Sequence, residues 1–409
     1  MNLMRIERVR VACAVAVVAL TVVMPESEEG ATPATSPRFM DVTASQLVGQ
    51  PAEPKFSMAA SAADLDGDGD LDLAIASEYA PNRLLVNDGN GRLTDESDAR
   101  LPRTVGDHED VAIADFDRDG DLDLVFVGED DQVSAYHLND GSGSFEDVTE
   151  RLPTRGTSNA VVAEDVDRDG DSDLVVGNNG QDFLFLNDGV GMFTDETADR
   201  LPASDDVTQD VAVGDIDGDG DRDLILGNED GNKALLNDGA GRFIDDTAER
   251  LPAANAKEET RNVDLADVDR DGDLDLHYAN VLLFVPDADP QDRLLMNDGS
   301  GHFSDETESR LPLEDESTMT AAFMDVDQDG DPDLITGTFG DLNGVDASSP
   351  FHVQRNDGSG VFESFDEALP EGVTGNGFDI EPADFDGDGL TDLFLASRGG
   401  TDRLLIAVP

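Results

Sequence analysis

One nine-residue pattern, Asp-x-Asp-x-Asp-Gly-x-x-Asp, occurs seven times in this chain and leaves few folds open. The copies begin at Asp64, Asp115, Asp165, Asp215, Asp267, Asp325 and Asp384. Successive starts lie 51, 50, 50, 52, 58 and 59 residues apart. A period near 50 points to an array in which each repeat is one supersecondary unit, burying its apolar face only against its neighbours. Such an array can take up all 409 residues as one unit, so length alone does not require several domains.

Each repeat reads as four short strands. An apolar run precedes the acidic loop, as in Val111-Ala-Ile-Ala114, and a second follows it, as in Leu122–Val127. A third, such as Phe183–Leu186 or Ala234–Leu236, leads into Asn-Asp-Gly-x-Gly at Asn87, Asn139, Asn187, Asn237, Asn297 and Asn356. Asn, Asp and Gly tolerate the positive φ of a tight hairpin. The fourth strand reads like Phe193–Thr197 and is usually followed by Leu-Pro. No helix-length amphipathic stretch interrupts this order. The expectation is all-β: a seven-bladed β-propeller of four-stranded blades.

The two ends of the array complement each other. The seventh repeat stops at Arg403–Pro409 after its third strand, and Phe39–Thr43 supplies the missing fourth, matching Phe145–Thr149. The N-terminal strand is therefore expected to close the last blade, leaving only short sheet edges. Residues 36–409 form the propeller on this reading, and 1–35 a leader with a short linker.

Alternate aspartates followed by a glycine turn bring several carboxylates to one point, with a fourth at position nine. Hard oxygen donors in this number suit Ca²⁺, which takes six to eight of them. Mg²⁺ suits the loop less, because it keeps its waters. The early fourth carboxylate and the lack of flanking helices distinguish the loop from an EF-hand. With these seven loops in register, residues 38–409 resemble the FG-GAP/VCBS repeat family, which includes integrin α-subunit propellers. The resemblance implies that positions one, three, five and nine bind Ca²⁺ through side chains, and position seven through its carbonyl. In repeats one to three these are Asp64, Asp66, Asp68, Asp70, Asp72; Asp115, Asp117, Asp119, Asp121, Asp123; and Asp165, Asp167, Asp169, Asp171, Asp173. Repeats four and five supply Asp215, Asp217, Asp219, Asp221, Asp223 and Asp267, Asp269, Asp271, Asp273, Asp275. Repeats six and seven supply Asp325, Asp327, Asp329, Asp331, Asp333 and Asp384, Asp386, Asp388, Leu390, Asp392. Leu390 is the one departure, and a carbonyl ligand survives it. Up to seven Ca²⁺ are expected, in a structural role. The competing reading is that these are acidic turns without metal.

Composition narrows the setting. The formal charge is −67, and only Lys55, Lys233 and Lys257 are lysines. Such a field repels phosphates, which excludes nucleic acid as a partner. Seven divalent ions would offset about a fifth of it. The remainder resembles the acidic, lysine-poor surfaces of halophile proteins. Arg5, Arg8 and Arg10 precede the apolar stretch Val11–Met24, which fits a secretory signal peptide and is short for a membrane span. An uncleaved anchor stays open as the only membrane link. Cys13 is the sole cysteine, so no intramolecular disulfide forms. The expected location is secreted or cell-surface, and the expected state monomeric.

Two repeats carry longer second-to-third loops, Asn280–Asp292 and Thr338–Pro350, on the face opposite the calcium loops. In the resembled family that is the recognition face. Insertions gathered on one face mark a binding surface, with Phe284 and Phe339 as its anchors; harmless drift in tolerant loops is the alternative. The blade-entry stretches from His108–Asp110 round to Asn376–Asp379 should ring a central channel. No nucleophile elbow, phosphate loop or histidine metal set is present. The leading expectation is an exported binding or adhesion module for a protein or carbohydrate. The alternative is a calcium-dependent propeller enzyme on extracellular polysaccharide or phosphate ester, which fold cannot exclude.

Overall fold

The computed structural model describes residues 38–50, 56–129, 133–153, 156–254, 256–313, 316–340 and 349–409. Residues 1–37, which include Cys13 and the expected leader, and most of the second long loop (341–348) lie outside the described residues.

The repeats fold as four antiparallel strands in chain order. Repeat three is the pattern: Ser158–Glu164, Asp173–Asn178, Phe183–Asn187 and Phe193–Asp195 form one sheet in that sequence. Its second strand is buried on both faces, which its continuous apolar run allows. Repeats four, five and six build equivalent sheets. In repeat seven the fourth strand is Phe39–Asp41, antiparallel to Arg403–Ala407 in the register Phe39↔Ala407, Met40↔Ile406, Asp41↔Leu405. Arg403 secures this edge through Asp41 at 2.9 Å.

Repeats one and two depart from the pattern of separate sheets. The second strand of repeat one runs on to Pro81 and the first of repeat two begins at Val105. The extensions pair with each other, Glu78↔Asp107 and Pro81↔Val105. The two repeats thus merge with Leu47–Val48 into one nine-stranded sheet.

The fourth strands are shorter than the sequence pattern suggests. In repeat three the strand stops at Asp195, because Asp195 Oδ1 accepts the Thr197 N–H at 3.0 Å. The Thr197 hydroxyl in turn accepts the Leu184 N–H at 3.0 Å. This Asx turn starts a single helical turn, Thr197–Arg200. The same step opens Ser97–Arg100, Thr247–Arg250 and Thr307–Arg310. Among the described residues no helix is long and apolar enough to cross a membrane.

The first strands lie side by side in repeat order, and Gly377–Ala383 of repeat seven lies against Ser57–Ala63 of repeat one. Buried apolar side chains collect between successive sheets. Phe116, Tyr136 and Phe193 pack between repeats two and three, and Phe385 and Phe394 pack with Leu73 and Leu85 between seven and one. Among the described residues each of these cores is shared by two successive repeats, so a repeat is stable only beside its neighbours.

Candidate metal centres

Each acidic loop is a tight turn tied by its own carboxylates. In repeat two, Asp115 accepts the N–H groups of Asp119 and Gly120 at 3.1 and 3.0 Å. Asp119 accepts that of Asp121 at 3.0 Å. Gly120 sits at φ 100°, as the sequence pattern requires. Position four is also left-handed in every loop: Gly67, Arg118, Arg168, Gly218, Arg270, Gln328 and Gly387 lie between 61° and 78°. Glycine at three of those seven positions was the signal for it.

Position nine is the buried corner. Asp123 is 1% exposed; one oxygen accepts the Phe116 N–H at 3.1 Å and the other the Asn139 N–H at 2.9 Å. It thereby fixes both the loop and the hairpin after the third strand. Burial raises Asp123 and Asp173 to about 8, and Asp72, Asp223, Asp275 and Asp333 to about 7. Burial followed by repulsion from the neighbouring Asp119 raises Asp117 as well.

Ligand-sized gaps separate these carboxylates. Single oxygens of Asp64, Asp66 and Asp68, of Asp115, Asp117 and Asp123, of Asp165, Asp167 and Asp173, and of Asp215, Asp217 and Asp223 lie within 4.8 Å of one another. The position-three oxygens Oδ1 of Asp66, Asp117, Asp167, Asp217, Asp269 and Asp327 are buried without a hydrogen-bond partner. So is Oδ1 of the position-one residues Asp165, Asp267 and Asp384. A buried carboxylate oxygen left without a partner costs free energy, and its repetition at equivalent places makes it a feature of the loop. Hard oxygens converging at this spacing fit a cation of the Ca²⁺ type. The side chain of position seven instead turns beneath its own hairpin. A Cβ on Gly189 would lie 2.7 Å from Asp171, and one on Gly239 would lie 2.5 Å from Asp221. This placement is compatible with the carbonyl role that the resemblance implies for position seven.

The hairpin asparagines do more than turn the chain. Positive φ falls on the two glycines, 73° at Gly89 and 75° at Gly91. The asparagine side chain reaches the preceding repeat, donating to the carbonyl of loop position two. Asn139 meets Leu65 at 2.7 Å, Asn187 meets Phe116 at 2.8 Å and Asn237 meets Val166 at 2.8 Å. Asn297, Asn356 and Asn87 do the same with Ile216, Val268 and Phe385, at 2.8, 2.7 and 2.8 Å. Position two is itself an apolar plug, at most 5% exposed in all seven loops. The loops are thus joined to one another, which spacing along the chain did not reveal.

The blade-entry residues line a cavity of about 290 Å³ bounded by the first strands of all seven repeats. Several of their side chains tie neighbouring strands together. Asp110 accepts the Val161 N–H at 2.8 Å, Asp210 the Val263 N–H at 2.9 Å, Asn262 the Ala321 N–H at 2.9 Å and Asp379 the Ala60 N–H at 2.6 Å. They satisfy backbone N–H groups of the inner strands that would otherwise lack a partner in the sheets.

The first long loop is held by a buried acid. Glu259 is fully buried and accepts the N–H groups of Leu283, Phe284 and Val285 at 2.9 Å each, as well as Arg261 at 2.6 Å. The bonds from the backbone N–H groups of Val285 and Leu283 offset its burial and hold its carboxyl below the usual range. Phe284 stands 58% exposed, with the Arg261 guanidinium 5.0 Å from its ring. Phe339 is buried, edge-on to Phe378 at 5.4 Å. Sequence reasoning missed Glu259, whose backbone partners lie 24 to 26 residues away.

The chain matches the FG-GAP-like repeat over residues 64–126, 115–176, 165–226, 215–278 and 281–336. No curated protein sequence matches it. Among solved structures it resembles an Agrocybe aegerita lectin that recognises non-reducing terminal N-acetylglucosamine, with TM-score 0.52, 21% identity, and 79% of this chain and 83% of that one covered. It also resembles BBS1N, solved in complex with ARL6DN, with TM-score 0.52, 13% identity and coverage of 91% and 98%. A third likeness is to the extracellular domain of BT4673 from B. thetaiotaomicron, with TM-score 0.53 and 13% identity over 90% of this chain and 39% of that one. At these identities the structures show the fold alone. With tandem repeats matched over most of the chain and four-stranded sheets in series, this protein belongs to the FG-GAP-like repeat family and has its β-propeller fold.

Proposed function

We propose that this protein is an exported, calcium-stabilised, seven-bladed propeller, closed by its N-terminal strand, that binds a protein or carbohydrate partner on the face opposite its calcium loops. Closure is supported by Phe39–Asp41 on the last sheet and by Asn87 donating to Phe385 between repeats one and seven. Calcium is supported by the orphaned buried oxygens of positions one and three. The ion would be held by the carboxylates of positions one, three, five and nine and the carbonyl of position seven. It would offset their mutual repulsion and fix the connection between the first two strands. Surface acidity beyond what the ions offset fits a protein that works in concentrated salt.

The observation that carries the binding role is the mounting of Phe284. A buried carboxylate holds three successive N–H groups so that an aromatic ring stands in solvent over a guanidinium. A drifting loop needs no such support, whereas exposed aromatics are favoured anchors at interfaces. The test is binding of the full chain to an array of glycans, including N-acetylglucosamine-terminated ones, and to isolated cell envelopes. Saturable, chelator-sensitive binding that Phe284→Ala abolishes without a change in melting temperature is expected. Absence of saturable binding, or binding indifferent to Phe284→Ala, would remove this role.

A further inference from the structure

We infer that the arginine at position four of a calcium loop is a positioning residue for the loop of the following blade, and that it divides the seven loops into two classes. This rests on the calcium reading above for its ligand, while its geometry is independent of it. Arg118, Arg168 and Arg270 hold the left-handed conformation, which disfavours any side chain. Each leaves its own loop and grips the next at two points. Arg118 pairs with Asp171 and donates to the Asp169 carbonyl at 3.3 Å. Arg168 pairs with Asp221 at 2.5 Å and donates to the Gly220 carbonyl. Arg270 pairs with Asp331 at 2.5 Å and donates to the Asp329 carbonyl at 3.3 Å.

The segment gripped is always positions five to seven, the stretch that supplies one side-chain and one carbonyl ligand. The remaining loops act as internal controls. Gly67, Gly218 and Gly387 bring no side chain to the loops beginning at Asp115, Asp267 and Asp64. Gln328 precedes the seventh loop, and there position seven is Leu390, the one place without a carboxylate. Burial follows the same division. Asp171, Asp221 and Asp331 are buried, whereas Asp70, Asp121 and Asp273 are half-buried.

A guanidinium at this place removes one uncompensated negative charge and fixes the turn before any ion arrives. The loops of repeats three, four and six therefore keep their geometry without calcium. Those of repeats one, two, five and seven depend on the ion, so metal loss opens the ring through them.

The test is amide hydrogen exchange of the full chain, read by mass spectrometry in calcium and in EGTA. Chelation should speed exchange several-fold more in residues 64–72, 115–123, 267–275 and 384–392 than in 165–173, 215–223 and 325–333. Arg118→Gln should move 165–173 into the sensitive class and leave 215–223, held by Arg168, unchanged. Asp171→Asn, which keeps the carbonyl at position seven, should do the same from the other side of the pair. Equal increases in all seven loops, or no effect of either variant on 165–173, would overturn the inference. If EGTA changes no loop, the calcium reading fails by itself. The grip is then judged by Arg118→Gln against the parent in one buffer: faster exchange confined to 165–173 supports it, and unchanged exchange overturns it.

Discussion

Replacing Asn187 by alanine should destabilise the propeller through a contact between blades, without touching a metal ligand or the apolar core. The side chain is 5% exposed. Its amide donates to the Phe116 carbonyl at 2.8 Å and the Ser172 carbonyl at 3.1 Å, and its oxygen accepts the Gly189 N–H at 3.2 Å. Phe116 is fully buried, so water cannot replace the lost donor there, whereas Ser172 is only half-buried. An unsatisfied buried group costs about 1–3 kcal/mol and a replaceable hydrogen bond about 1. The expected loss is therefore about 2–4 kcal/mol, a large part of the ~5–15 kcal/mol that holds a typical domain. Asn187→Asp should cost more, since it turns a carboxylate oxygen toward two carbonyls. The assay is urea unfolding in saturating calcium, because guanidinium would also screen the charges. Asn90→Ala is the control: its amide meets only the exposed Asp88 carbonyl, and its effect should stay within about 0.5 kcal/mol. If Asn187→Ala costs no more than Asn90→Ala, the tie to Phe116 does not hold the blades together.

Further outcomes follow from the same structure. Glu259→Ala should release the first long loop, seen as faster amide exchange at Leu283, Phe284 and Val285 with the remaining sheets unchanged. His352, bonded to Asp366 at 3.1 Å and Glu316 at 3.2 Å, is raised to about 9, first by the Asp366 hydrogen bond. Its stabilisation is complete below the unfolded value of about 6.5 and lost as pH rises through 9, amounting to about 1 kcal/mol because both acids are half-exposed. His352→Gln should flatten that part of the stability–pH curve. Asp117→Asn should lower the melting temperature in calcium and remove one bound ion. In chelator it should leave melting unchanged or raise it, since a repelled carboxylate is gone; a drop in both conditions would argue against an ion at this loop.

Much of the fold was legible because its signals are local. The acidic turn, the Asn-Asp-Gly hairpin and the apolar runs each act within about ten residues, and sevenfold repetition fixed their order. Pairing of Phe39–Asp41 with the last sheet was legible as well, because its likeness to Phe145–Asp147 identified it as a fourth strand. What sequence did not disclose lies between repeats. Asn187 and Phe116 are 71 residues apart, and Arg118 and Asp171 are 53; residue type gives no sign that such pairs meet. The merging of repeats one and two escaped notice because strand extension depends on a neighbour's edge rather than on composition. Phe284 and Phe339 looked alike as loop aromatics, yet Phe378 buries one and Glu259 raises the other into solvent.

The calcium assignment is tested most directly by thermal unfolding in molar salt, with calcium and then with chelator, alongside a metal count per chain. Several Ca²⁺ per chain and a large chelator-induced fall in melting temperature are predicted. No bound metal and an unchanged melting temperature would mean that the seven loops are acidic turns, and would leave the propeller standing without its ions.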